Sequence, residues 1–141
     1  MEILSGRTMI HPRDLERTLT FYQDGFGLAV AREFGAGATR GVVFFLGGGL
    51  LEVVGHHGST VSDASSTEAD QVVALWWQVR DIGAAVEELE QRGVAIARPP
   101  VLEPWGLIEA WVDDPDGIRI HLVEVPEGHP LRRDLRPLNP S

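Results

Sequence analysis

Gly27-Leu28-Ala29-Val30-Ala31-Arg32 and Gly93-Val94-Ala95-Ile96-Ala97-Arg98 carry one pattern twice, 93 − 27 = 66 positions apart. Arg13-Asp14-Leu15 and Arg80-Asp81-Ile82 repeat at almost the same offset, 80 − 13 = 67. Two matching offsets imply one supersecondary unit used twice, which rules out most folds open to a chain of 141 residues. In each copy an Asp precedes an apolar run and can cap a helix. Leu15, Thr18, Leu19 and Tyr22 fall at helical spacing in the first copy, as do Ile82, Ala85, Val86 and Leu89 in the second. Gly25 and Gly27 stop the first helix, and Gly93 stops the second.

Strands fill the rest of each copy. In the first, Arg7 to His11 is a short strand ended by Pro12. Leu28 to Phe34, Val42 to Leu46 and Leu50 to Val54 follow, separated by Gly35-Ala36-Gly37 and Gly47-Gly48-Gly49. In the second, Val72 to Val79 precedes the helix and Val94 to Arg98 follows it. Pro99-Pro100 then break the chain before strands at about Leu107–Val112 and Ile118–Val125. Asp114-Pro115-Asp116-Gly117 supplies the last turn. There Pro115 pre-sets φ, Asp side chains bond nearby N–H groups, and Gly117 accepts positive φ.

The expected fold is α+β, with two βαβββ modules forming curved mixed sheets around a cavity. One domain spans 1–141, with module one at about 5–55 and module two at about 71–125. The segment 56–70 is rich in Ser, Thr, Asp and Gly and lacks apolar periodicity, so a mobile linker is expected there, with His56 and His57 solvated. The tail 126–141 shows no strand or helix signal. Leu131, Leu135 and Leu138 either pack it on a neighbour or leave it solvated.

Net charge is −9, and Lys is absent. Phosphate backbones are bound by clustered cations, so a nucleic-acid partner is not expected. There is no cysteine, which excludes disulfides and thiolate metal sites. No stretch reads as a membrane span, and Met1-Glu2-Ile3-Leu4 does not read as a signal peptide, so the expectation is a cytoplasmic protein.

Two motifs carry a family likeness. Asp14-Leu15-Glu16-Arg17-Thr18-Leu19-Thr20-Phe21-Tyr22 lies in the first helix, and Asp114-Pro115-Asp116-Gly117-Ile118-Arg119-Ile120 precedes the last strand. With the paired modules, they resemble the vicinal oxygen chelate superfamily over about Arg7 to Val125. That superfamily includes glyoxalase I, extradiol dioxygenases, fosfomycin-resistance enzymes, epimerases and the bleomycin-resistance proteins, which bind and sequester a drug. One fold hosts all these chemistries, so the likeness implies fold more firmly than function.

The resemblance also implies where a metal would be held. Metal-dependent members use side chains from the first and last strands of each module, in a His, Glu, His, Glu pattern. Here those positions fall on Arg7, Glu52, Ala74 and His121. A guanidinium carries no free lone pair, and alanine has no donor. Glu52 and His121 alone make a poor first-row metal site. The expectation is therefore no metal and no cofactor. Arg7 and Glu52 would instead form a charge-assisted pair in the metal's place, although Arg7 also reads as a plain surface residue at a strand start. The alternative keeps a divalent metal on Glu52 and His121, with His11, His56 or His57 as a third ligand.

Strand parity around these positions gives a lining. In module two it comprises Trp76, Gln78, Glu109, Trp111, Arg119 and His121, with Trp105 at the rim. Module one adds Arg7, Met9, His11, Phe45, Glu52 and Val54. Flat side chains among a few polar ones suit a planar, partly apolar molecule. Trp76 and Trp111 read either as lining or as core, and Trp77 as core. The expected function is a metal-independent protein of the bleomycin-resistance type, a homodimer binding a planar or antibiotic-like small molecule. The rival is an enzyme of the same fold in which His121, with Glu109 or Glu52, does general acid–base work.

Overall fold

Asp14 and Asp81 do in the structure what their positions promise. The computed structural model describes residues 1–2, 4–55 and 73–131. In it the Asp14 carboxylate accepts from the Arg17 N–H at 3.0 Å, and Asp81 accepts from the Ala84 N–H at 2.9 Å. The caps open helices α1 (Leu15–Thr20) and α2 (Ile82–Gln91). A π-helical turn, Phe21–Gly25, extends α1 and brings Tyr22 into full burial. Gly27 and Gly93 then take positive φ, 67° and 80°, and turn each chain back toward its sheet.

Each module is one four-stranded sheet with a helix on one face, and the chain divides into two compact units at Ser65/Ser66. Unit one contains β1 (Thr8–Ile10), β2 (Val30–Phe34), β3 (Gly41–Leu46) and β4 (Gly49–Val54), in the order β1-β4-β3-β2. Unit two contains β5 (Leu75–Val79), β6 (Arg98–Leu102), β7 (Ile108–Asp113) and β8 (Arg119–Glu124), in the order β5-β8-β7-β6. In both, the first strand pairs parallel with the fourth and the remaining pairs are antiparallel. The architecture is α+β, built as two βαβββ modules.

The helix-facing side of each sheet is core. In unit one Ile10, Val42, Phe44, Leu51 and Val53 are buried, as are Leu19 and Tyr22. In unit two Leu75, Ala110, Val112, Ile120 and Leu122 are buried, with Ile82 and Leu89 from α2. Period-2 alternation then fixes which residues stand on the opposite face.

One strand differs from expectation. The strand after α2 begins where the expected one, Val94–Arg98, ends: it runs Arg98–Leu102, contains both prolines, and is led in by the Ala97 N–H on the Trp111 carbonyl at 2.8 Å. β6 is the last strand of its sheet, and its register shifts between Arg98 and Val101. Pro99 and Pro100 lack N–H groups, which an edge strand tolerates because its outer side needs no donors. The linker 56–70 and the tail beyond Leu131 lie outside the described residues. No helix among the described residues is long and apolar enough to cross a membrane.

Candidate functional site

The sheet register of unit two sets four side chains side by side. Trp76 on β5 pairs with His121 on β8, His121 with Trp111 on β7, and Trp111 with Arg98 on β6. All four stand on the face away from α2. The row is chemically graded, from an open indole through an imidazole and a second indole to a guanidinium.

Glu109, one pleat along β7 from Trp111, organises the row. It is only 6% exposed. Its Oε1 accepts from Trp105 Nε1 at 3.2 Å, and its Oε2 lies 3.3 Å from His121 Nδ1 and 4.0 Å from Arg98 Nη2. Arg98 is further held by Glu103, through the same Nη2. The turn Glu103-Pro104-Trp105-Gly106 delivers two of these groups. It is closed by the Gly106 N–H on the Glu103 carbonyl at 2.9 Å, with Gly106 at φ 87°. The tail braces that turn: His129 Nε2 lies 3.2 Å from the Trp105 carbonyl, and its Nδ1 accepts from the Leu131 N–H.

Trp111 is the platform of the row. The Arg98 guanidinium lies over its ring at 3.8 Å and that of Arg119 at 4.6 Å, both within cation–π range. Arg119 is itself fixed by two hydrogen bonds to Asp113, at 2.9 and 3.0 Å. The indole N–H of Trp111 is buried and has no hydrogen-bond partner among the described residues. The ring is therefore largely covered and supports its neighbours. Trp76, by contrast, is 51% exposed, and Gln78 beside it is exposed too. At the far end of the same face Val123 closes the surface with Leu107 and Val125.

Unit one repeats the register with different chemistry. Met9, Glu52, Val43 and Arg32 form the equivalent row. Gly41 stands where β7 has Glu109, with the Phe34 ring packed where a side chain would go. Glu52 therefore lacks a carboxylate-to-imidazole arrangement. Its Oε2 instead accepts from Arg7 Nη1 at 2.8 Å. Met9 and Phe45 on this face are more than half exposed, and His11 is exposed.

These residues do not fit a divalent metal. Arg7 offers no lone pair and occupies Glu52, and Ala74 has no donor, so two of the four expected positions cannot ligate and a third is already paired. Among the described residues no three His, Asp or Glu side chains are grouped to hold an ion. His56 and His57, named as candidate third ligands, lie outside the described residues. The parity reading left out Arg98 and Glu103. The repeat held a signal for the first, since Arg98 matches Arg32 at the end of the repeated stretch. Treating Pro99-Pro100 as a break hid it.

The family model of the Glyoxalase/Bleomycin resistance protein/Dioxygenase superfamily matches residues 5–122. The chain belongs to this superfamily. Solved structures of the superfamily and others share the fold. A superfamily member from Sphaerobacter thermophilus is 26% identical, with 87% of this chain and 98% of that one covered and a TM-score of 0.61. TioX from Micromonospora sp. ML1 is 21% identical over 84% and 94% of the two chains, with a TM-score of 0.64. A glyoxalase-related enzyme from Fulvimarina pelagi is 23% identical over 86% and 88%, also with a TM-score of 0.64. At such identity the last two likenesses speak for the fold alone. No curated protein matches the chain significantly.

Proposed function

We propose that this superfamily member is a metal-independent binding protein for a planar, partly apolar organic molecule, of the kind the bleomycin-resistance proteins represent. The observation that carries this reading is the 2.8 Å bond from Arg7 to Glu52. A guanidinium that pairs with Glu52 satisfies the carboxylate without a metal, which supports the reading. The occupant fits the second observation, an open indole at Trp76 in a row with His121 and the covered platform of Trp111. Aromatic surface with a few fixed polar groups suits flat molecules. Antibiotic-like molecules are the first candidates, and a homodimer is the proposed assembly.

Equilibrium dialysis and tryptophan quenching against planar natural products test the proposal. Saturable binding by protein free of metal supports it. No binding and no quenching across the panel would defeat it.

A second reading draws on the 3.3 Å approach of His121 to Glu109. A buried carboxylate that orients an imidazole is the arrangement of a general base, so an isomerase or cyclase without a metal is the alternative. Turnover of a bound molecule, abolished in His121→Phe, would favour it.

A further inference from the structure

From the hydrogen bonding around His121 we infer the ligand class: a planar aromatic molecule carrying a ring hydroxyl, whose O–H meets His121 Nε2. This inference rests on the binding function proposed above. Glu109 already accepts from the Trp105 N–H and faces the Arg98 guanidinium. As a carboxylate it has only acceptor sites to offer His121. The Nδ1 of His121, 3.3 Å from Oε2, is therefore the nitrogen that carries the proton. A neutral ring in that tautomer presents Nε2 as a lone-pair acceptor. No described residue hydrogen-bonds Nε2, while the side chain keeps 28% of its surface exposed.

The neighbours of that nitrogen set the rest of the ligand. Trp76 stands beside His121 in the register and is half open. Trp111 lies on the other side with its ring centroid 5.4 Å from the imidazole. A flat ring resting against Trp76 can bring a substituent to Nε2 in its own plane. To meet a neutral ring the substituent must donate, which ethers and carbonyls cannot do. A phenolic O–H suits the position in either charge state. It donates to a neutral imidazole, and if the proton passes to Nε2 the resulting phenolate accepts from an imidazolium paired with Glu109. A simple amine or alcohol lacks that second option.

The test uses the full chain with 2-naphthol and 2-methoxynaphthalene, in which a methyl group replaces the donor hydrogen. Equilibrium dialysis should show 2-naphthol binding about tenfold or more tightly, the worth of one hydrogen bond to a charge-supported partner. His121→Phe keeps a ring in place and should erase the preference, leaving both probes at the weaker affinity. Glu109→Gln frees the tautomer and should narrow the preference while Trp76 contacts persist. Equal binding of both probes by the natural chain overturns the inference and leaves the binding function standing. A preference undiminished in both variants also overturns it. Binding of neither probe overturns it together with the planar-ligand reading. Circular dichroism of each variant checks the fold, and either variant alone suffices.

Discussion

Arg7 and Glu52 share a 2.8 Å bond but not a common environment: the arginine side chain is 49% exposed and the glutamate 9%. The pair is therefore lopsided. Removing the carboxylate lets a half-exposed guanidinium return to water. Removing the guanidinium strands a buried carboxylate. Arg7→Ala should cost about 1–3 kcal/mol of stability, whereas Glu52→Gln should cost less than about 1 kcal/mol, as for pairs with one solvated partner. Urea melts of the two variants rank them, and the opposite ranking would show that Glu52 has another partner or reaches water.

Asp114 is the hub of the turn before β8. Its side chain is buried, and Oδ1 accepts from the backbone N–H groups of Asp116 and Ile118, both at 2.9 Å. Asp114→Ala leaves two donors without that partner and should cost about 2–3 kcal/mol. Asp114→Asn keeps an acceptor oxygen and should recover most of the loss. A melt in which both variants match the parent chain would contradict the account.

Glu124 lies on the other face of β8 from His121. Its Oε2 accepts from the Ile82 N–H at 2.8 Å, at the open end of α2. With Asp81 on the Ala84 N–H, two of the helix's first donors are satisfied by carboxylates, which also face the positive end of the helix dipole. Glu124→Ala should lose about 1 kcal/mol, the scale of a helix cap. Hydrogen exchange should quicken first at the N-terminal turn of α2, and uniform exchange across the unit would argue against local capping.

The adjacent tryptophans of β5 should separate stability from binding. Trp77 shares the helix-side parity of the buried Leu75, while Trp76 is half open on the opposite face. Trp77→Ala should destabilise the protein, though by less than the roughly 3–5 kcal/mol of a fully buried aromatic, since Trp77 keeps some exposure. Trp76→Ala should leave the melt nearly unchanged and weaken binding of planar molecules. The reverse ranking would mean that β5 is shifted by one residue.

Much of this was legible in the sequence because it is local chemistry. Asp14 and Asp81 cap because of their side chains, Gly27 and Gly93 turn because they lack one, and strand alternation put Glu52, Trp76, Glu109 and His121 on one face of their sheets. The site was less legible where it depends on neighbours distant in the chain. The bond from Glu124 to Ile82 needs β8 beside the start of α2, which no local pattern states. Arg98 reaches Trp111 because an edge strand tolerates two prolines, where local propensity favours a break. Whether Trp111 is platform or open surface depended on two arginines from other strands.

Ligand binding with and without a chelator is the most direct test of the metal-independent reading. The protein is equilibrated with a planar ligand that it binds, dialysed against EDTA, and measured again with and without added zinc, nickel or manganese. The account predicts one unchanged dissociation constant throughout, because Arg7 already satisfies Glu52. Loss of binding after chelation, restored by a stoichiometric divalent ion, would contradict it.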